Sequence, residues 1–147
     1  MDAGLLEFVK KSKTEFEETA SFYSSFKRRL EAPKLPGRLN VVYGIRGAGK
    51  TTLMFQNYLE APREKRVYFH GVELRLKKTT VLEVIETAVY LFGTDVRVFI
   101  DEVNKVEKWA KDVEVAFDKY PAASFLLSGS SSINLLDSKE DLARRAH

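Results

Sequence analysis

Leu39-Asn40-Val41-Val42-Tyr43-Gly44-Ile45-Arg46-Gly47-Ala48-Gly49-Lys50-Thr51-Thr52 is the stretch on which the fold turns. A short apolar run (39–43) reads as a strand, and the glycine-rich turn after it opens a helix of about ten residues, Lys50 to Leu59, stopped near Ala61-Pro62. Gly44 to Thr51 fits the pattern G-x-x-x-x-G-K-[ST] at every fixed position, between strand and helix as the mechanism of that pattern requires. The glycines let the backbone close around a phosphate chain and present N–H groups where a Cβ would obstruct them. The helix start adds the positive end of its dipole. Lys50 is expected to reach the β- and γ-phosphates, and the Thr51 hydroxyl to hold Mg²⁺. Gly44, Ile45, Arg46, Gly47, Ala48, Gly49, Lys50, Thr51 and Thr52 together form the expected phosphate cradle. The plainer reading, a glycine-rich turn with an accidental lysine, does not explain the flanking strand and helix.

Outward from this stretch the chain alternates strands with helices. Arg66–His70 reads as a second strand, Val96–Ile100 as a third and Ser124–Ser128 as a fourth. Thr80-Val81-Leu82-Glu83 has the spacing of a capping box, opening a helix to Phe92 with Gly93 as its stop. Val106, Trp109, Val113, Phe117 and Tyr120 mark one face of a helix ended by Pro121, and a polar helical tail follows the fourth strand. Such alternation requires right-handed crossovers, which predicts an α/β fold with a parallel sheet covered by helices on both faces. Residues 1–35 are expected to form an N-terminal helical segment, helical from 2 to about 31, with Pro33 and Pro36-Gly37 separating it from a core over 36–147. Leu5, Val9, Ser12, Phe16, Thr19, Tyr23, Phe26 and Leu30 step alternately by four and three. This stripe could pair with another chain, but packing on its own domain is the reading preferred here.

Val98-Phe99-Ile100-Asp101-Glu102 is an apolar strand ending in two carboxylates. Acidic residues often follow a strand merely to enter solvent. Some 50 residues after a phosphate loop, however, Asp101 is placed to join the magnesium shell and Glu102 to polarise a water against the γ-phosphate. Lys50 and Glu102 are thus the expected catalytic residues, and Thr51 and Asp101 the expected metal ligands.

GIRGAGKTT, then VFIDEV followed by NKVEKW, then FLLSGSSS, together resemble the AAA+ ATPases of archaea and bacteria, and more narrowly their archaeal-type ATPase group. The resemblance spans about residues 36–145. It implies ATP and Mg²⁺ as cofactors, ATP hydrolysis as the activity, and a fourth strand lying between the first and the third. Ser128 or Ser130 would then face the γ-phosphate, and the segment Leu35 to Arg38 would contribute to adenine recognition. The stretch after Gly129 is too short for the family's fifth strand and helical lid, so the core is expected to be incomplete and the isolated chain slow in turnover. Arg144 and Arg145 fall where this group carries an arginine-containing stretch, although paired arginines in a polar helix are usually solvated.

Other classes fit less well. Asn104-Lys105-Val106-Glu107 resembles a guanine-reading motif but directly follows the magnesium strand and ends in Glu, against a GTPase. A small-molecule kinase needs an arginine-bearing lid over a second substrate, and the Asp-Glu pair favours water as acceptor. A nucleotide-dependent interaction module that binds ATP with little hydrolysis remains the principal alternative. Lys10-Lys11-Lys13 and Lys27-Arg28-Arg29 raise nucleic acid as a partner, but Glu7, Glu15, Glu17, Glu18 and Glu31 offset them, which favours a solvated amphipathic face. Twenty-four basic residues against 21 acidic give +3, too little to argue nucleic-acid binding. His70 could face the nucleotide crevice or simply occupy a loop.

Composition sets the outer limits. Forty-four per cent hydrophobic residues can fill a core, and the absence of cysteine excludes disulfides and thiolate metal sites. No apolar run approaches the roughly 18 residues of a membrane helix. No secretory signal is visible at Met1-Asp2-Ala3-Gly4, so a cytoplasmic domain with ATP/ADP as ligands, and a second copy or another protein as partner, is the expectation.

Overall fold

A computed structural model describes residues 2–26, 35, 37–44 and 48–130; of 23–26, 44 and 48–51 it describes the backbone alone. Helix α1 (Ala3–Phe26) precedes strand β1 (Leu39–Gly44), helix α2 (Ala48–Glu60) and strand β2 (Arg66–His70). Helices α3 (Gly71–Leu76) and α4 (Val81–Phe92) lead to strand β3 (Arg97–Asp101), helix α5 (Trp109–Lys119) and strand β4 (Ser124–Ser130). The strands form one sheet in the order β1-β4-β3-β2, parallel throughout. The fourth strand therefore lies between the first and third, as the family resemblance implies.

Both faces of the sheet are covered, so each strand carries apolar residues on both sides. Val67, Phe69, Val98, Ile100, Phe125 and Leu127 bury one face beneath α3, α4 and α5. Phe99 and Leu126, joined by the half-buried Val42 and Tyr68, meet Met54 and Tyr58 of α2 on the other. The Thr80 capping box is present: Thr80 Oγ1 accepts from Glu83 N at 3.1 Å, and Glu83 Oε1 accepts from Thr80 N at 2.9 Å. Gly93 ends that helix, as expected.

Helix α1 serves both faces by passing around the β2 edge. Phe8 and Val9 enter the first core and Phe16 and Ala20 the second. Its stripe packs within the chain, but Thr19 is exposed while Ala20 is fully buried. The contact therefore runs Val9, Ser12, Phe16, Ala20. That is the 3.6-residue period of a straight helix on a globular core, where the regular four-three stepping of the expected stripe gives the 3.5 of a supercoiled seam.

Lys13 and Glu17 also depart from the expected solvated face. Lys13 Nζ donates to the carbonyls of Arg63 (2.7 Å) and Arg66 (2.6 Å), covering the start of the edge strand. Glu17 takes a two-pronged contact from Arg66, Nε to Oε2 and Nη2 to Oε1 at 2.8 Å each, and the Tyr58 hydroxyl at 2.5 Å. Arg66 Nη1 points at the carbonyls of Tyr58, Leu59 and Ala61, closing the C-terminal end of α2. The expected helix beyond Phe26, with Leu30 and Pro33, and the polar tail with Arg144 and Arg145 lie outside the described residues.

Candidate functional site

Parallel strands bring their carboxyl ends to one rim of the sheet, where ligands of open α/β sheets bind. Gly44, the last residue of β1, pairs with Ser130, the last of β4, and Val42 pairs with Ser128. The β3 strand runs beside β4 in register Ile100↔Leu127 and ends at Asp101. β1 thus ends at Gly44 next to the Ser128–Ser130 segment, which stands beside Asp101 and Glu102. Helix α2 begins at Ala48, so Lys50 and Thr51 fall in its first turn and Thr52 follows. Ile45, Arg46 and Gly47 lie outside the described residues.

The two carboxylates are held from neighbouring strands. Ser128, 1 % exposed, donates its hydroxyl to Asp101 Oδ1 and accepts from Glu102 N at 3.2 Å. The Tyr68 hydroxyl donates to Asp101 Oδ2 at 3.1 Å. Ser130 Oγ donates to Glu102 Oε1 at 3.1 Å, and its N–H donates to Asn104 Oδ1 at 3.2 Å. Burial, and next the nearby Asp101 carboxylate, push the Tyr68 hydroxyl well above its ordinary pKa, so it acts as a donor across the physiological range.

Backbone geometry turns Glu102 out of the strand. Its φ of 52° and ψ of 44° are left-handed, a conformation that costs a non-glycine residue about 1–3 kcal/mol and persists only where neighbours enforce it. Gly71 is one such neighbour. A Cβ on Gly71 would lie 1.9 Å from the Glu102 carbonyl oxygen and 2.8 Å from its carbon, so only glycine lets the β2–α3 turn lie against the Asp101–Glu102 corner.

The donor chemistry suits Mg²⁺, a hard cation that takes oxygen ligands and is bound by one or two carboxylates together with substrate phosphates. Asp101 supplies such a carboxylate; a carboxylate offers about four lone-pair sites, and its bonds to Ser128 and Tyr68 use two of them.

The remaining expected residues have structural employment. His70 Nδ1 accepts from Val72 N at 3.2 Å and caps α3. Arg38 donates to the carbonyls of Phe117, Tyr120 and Ala123 at 2.8–2.9 Å and stacks on the Phe117 ring, so its guanidinium serves the end of α5. Leu35 packs against the core between α1, α2 and the sheet. Tyr68, Gly71 and Asn104 escape a reading of the sequence because their roles depend on which strands are neighbours. The Gly at the end of an apolar strand was the one local signal available.

This rim, with parallel strand order β1-β4-β3-β2 and helix α2 following the first strand, fits an α/β domain of the P-loop nucleoside-triphosphatase type. A family model described as an AAA domain matches residues 36–147, and the chain belongs to that family. Membership implies nucleotide binding. The chain is also 30% identical over 117 residues to uncharacterized protein MJ1637 of Methanocaldococcus jannaschii, covering 74% of this chain and 24% of that one. It is 28% identical over 108 residues to uncharacterized protein MJ1544 of the same organism, covering 71% and 24%. The chain therefore aligns with about a quarter of the length of each relative. Among the described residues no helix is long and apolar enough to cross a membrane.

Proposed function

We propose that the chain binds ATP with Mg²⁺ at the carboxyl rim of β1, β4 and β3 and hydrolyses the β–γ phosphoanhydride. The observation that carries this reading is that Gly44, where β1 ends, lies beside Ser130 of β4, while Ser128 and Ser130 bond to Asp101 and Glu102. Main-chain N–H groups of 44–49 and the Lys50 ammonium hold the phosphates; Thr51 and Asp101 hold the metal. Bound magnesium would supply charge neutralisation at the β- and γ-oxygens. Glu102 orients a water in line with the γ-phosphorus and draws off its proton as the bond forms. Of the two serines, Ser130 suits contact with phosphate better, since Ser128 is buried and Ser130 is half-buried at the end of its strand. Turnover drives movement of a partner, a second copy or another part of the protein.

Steady-state phosphate release on Glu102→Gln tests the hydrolytic reading. Turnover is expected to fall by about 10²-fold or more, the scale of a lost general base, while ATP affinity stays close to wild type. Unchanged turnover would leave a nucleotide-dependent binding module as the function.

A further inference from the structure

Helix α1 lies outside the residues matched by the family model, yet it reaches the candidate metal carboxylate through one intermediary. The Phe16 ring stacks on the Tyr68 ring, centroids 3.7 Å apart and planes 10° from parallel. Phe16 is itself fixed by Tyr58 edge-on at 4.7 Å and by Phe55 at 5.0 Å, both on α2. Tyr68 pairs with Phe99 in the sheet register, which places its ring one strand over and two residues short of Asp101 on the same face. From there its hydroxyl reaches Asp101 Oδ2.

The terminal torsion of an aspartate is broad, so the backbone alone does not set the carboxylate plane. Two donors from two flanking strands do: Ser128 on Oδ1 and Tyr68 on Oδ2. A phenylalanine at 68 would give the same stacking without bringing a hydroxyl into a half-buried site. What the hydroxyl adds is orientation of the carboxylate.

We propose that Tyr68 is a positioning residue for the Asp101 carboxylate, seated there by Phe16, and that α1 is thereby a working part of the nucleotide–magnesium site. This inference rests on the reading of Asp101 as a magnesium ligand. Groups that hold metal ligands in place typically change metal affinity 10- to 100-fold when removed.

The test compares ADP affinity in millimolar magnesium with that in EDTA, for wild type, Tyr68→Phe and Phe16→Leu. Wild type is expected to bind more tightly with the metal. Tyr68→Phe should lose about tenfold of that gain with its EDTA affinity unchanged, and Phe16→Leu a smaller part, about threefold. Thermal melting of each variant shows whether the fold is kept, and Phe16→Leu carries the test if Tyr68→Phe does not fold. A wild type that gains from magnesium beside variants that gain equally would overturn the inference while leaving the nucleotide site standing. A wild type that binds no ADP at all would overturn both.

Discussion

Arg66→Met is expected to destabilise the fold by about 3–5 kcal/mol, the scale of a broken buried ion pair, which for a chain of this size lowers the melting temperature by roughly 10 °C or more. Arg66 is 8% exposed and Glu17 little more, so the substitution strands a carboxylate among α1, α2 and β2. It also removes the guanidinium donor from the carbonyls of Tyr58, Leu59 and Ala61, of which Tyr58's keeps the Ala61 N–H at 3.1 Å. Glu17→Leu, Tyr58→Phe and Arg66→Met together should restore at least half of the loss, because the carboxylate and the guanidinium leave together while Lys13 keeps its carbonyl acceptors at Arg63 and Arg66. Urea denaturation of wild type, Arg66→Met and the triple variant measures both effects. A single-site loss no larger than the about 0.5 kcal/mol of a surface change would contradict the assignment. The same cluster has a signature in acid. Burial pushes the Glu17 carboxyl up, but the Arg66 guanidinium, the Tyr58 hydroxyl and the Lys13 ammonium outweigh it and hold it at about 2, below its ordinary 4.5. The folded value is the depressed one, so this stabilisation is complete above the unfolded carboxyl's pKa and disappears as pH falls from about 4.5 through about 2. It amounts to about 3 kcal/mol, at 1.36 kcal/mol per unit. Glu17→Gln should flatten the stability–pH curve over that interval.

Gly71→Ala is expected to cost about 3 kcal/mol or more and to suppress phosphate release even where the protein remains folded. The added methyl meets main chain, not a flexible side-chain end: the Glu102 carbonyl at 1.9 Å and the Asp101 carbonyl oxygen at 3.2 Å. Relief requires β2 and β3 to part at their carboxyl ends, or the left-handed turn at Glu102 to relax. Either movement shifts both carboxylates from their Ser128, Ser130 and Tyr68 donors. Positioning errors of about 1 Å can cost 10²-fold in rate, so activity should fall further than stability alone explains. Melting temperature and phosphate release measured on the same preparation separate the two; wild-type values for both would show that the corner does not need its close approach.

The strands were legible because each is a short apolar run between turn residues; β2 falls on Arg66–His70 as its sequence suggests. The strand and helix on either side of the glycine-rich stretch were legible from its fixed spacing, and the strand order from family resemblance, not from any residue in the chain. Helix α3 was missed because six residues beginning at a glycine are too few to display a 3.6-residue period. Glu17 and Arg66 lie 49 positions apart, so nothing local announces that they meet; charges on an amphipathic helix ordinarily stay in water. The roles of Tyr68 and Gly71 follow from parallel pairing of β2 with β3, which a list of apolar runs does not contain.

Calorimetric titration of ADP in magnesium into wild type and Lys50→Ala tests most directly whether main-chain amides and one ammonium grip a polyphosphate at the first crossover. Saturable heat is predicted for wild type and affinity about tenfold to a hundredfold weaker for Lys50→Ala, as losing about 1.5–3 kcal/mol of charged hydrogen bonding requires. Equal binding by the two proteins, or no binding by wild type, would contradict it.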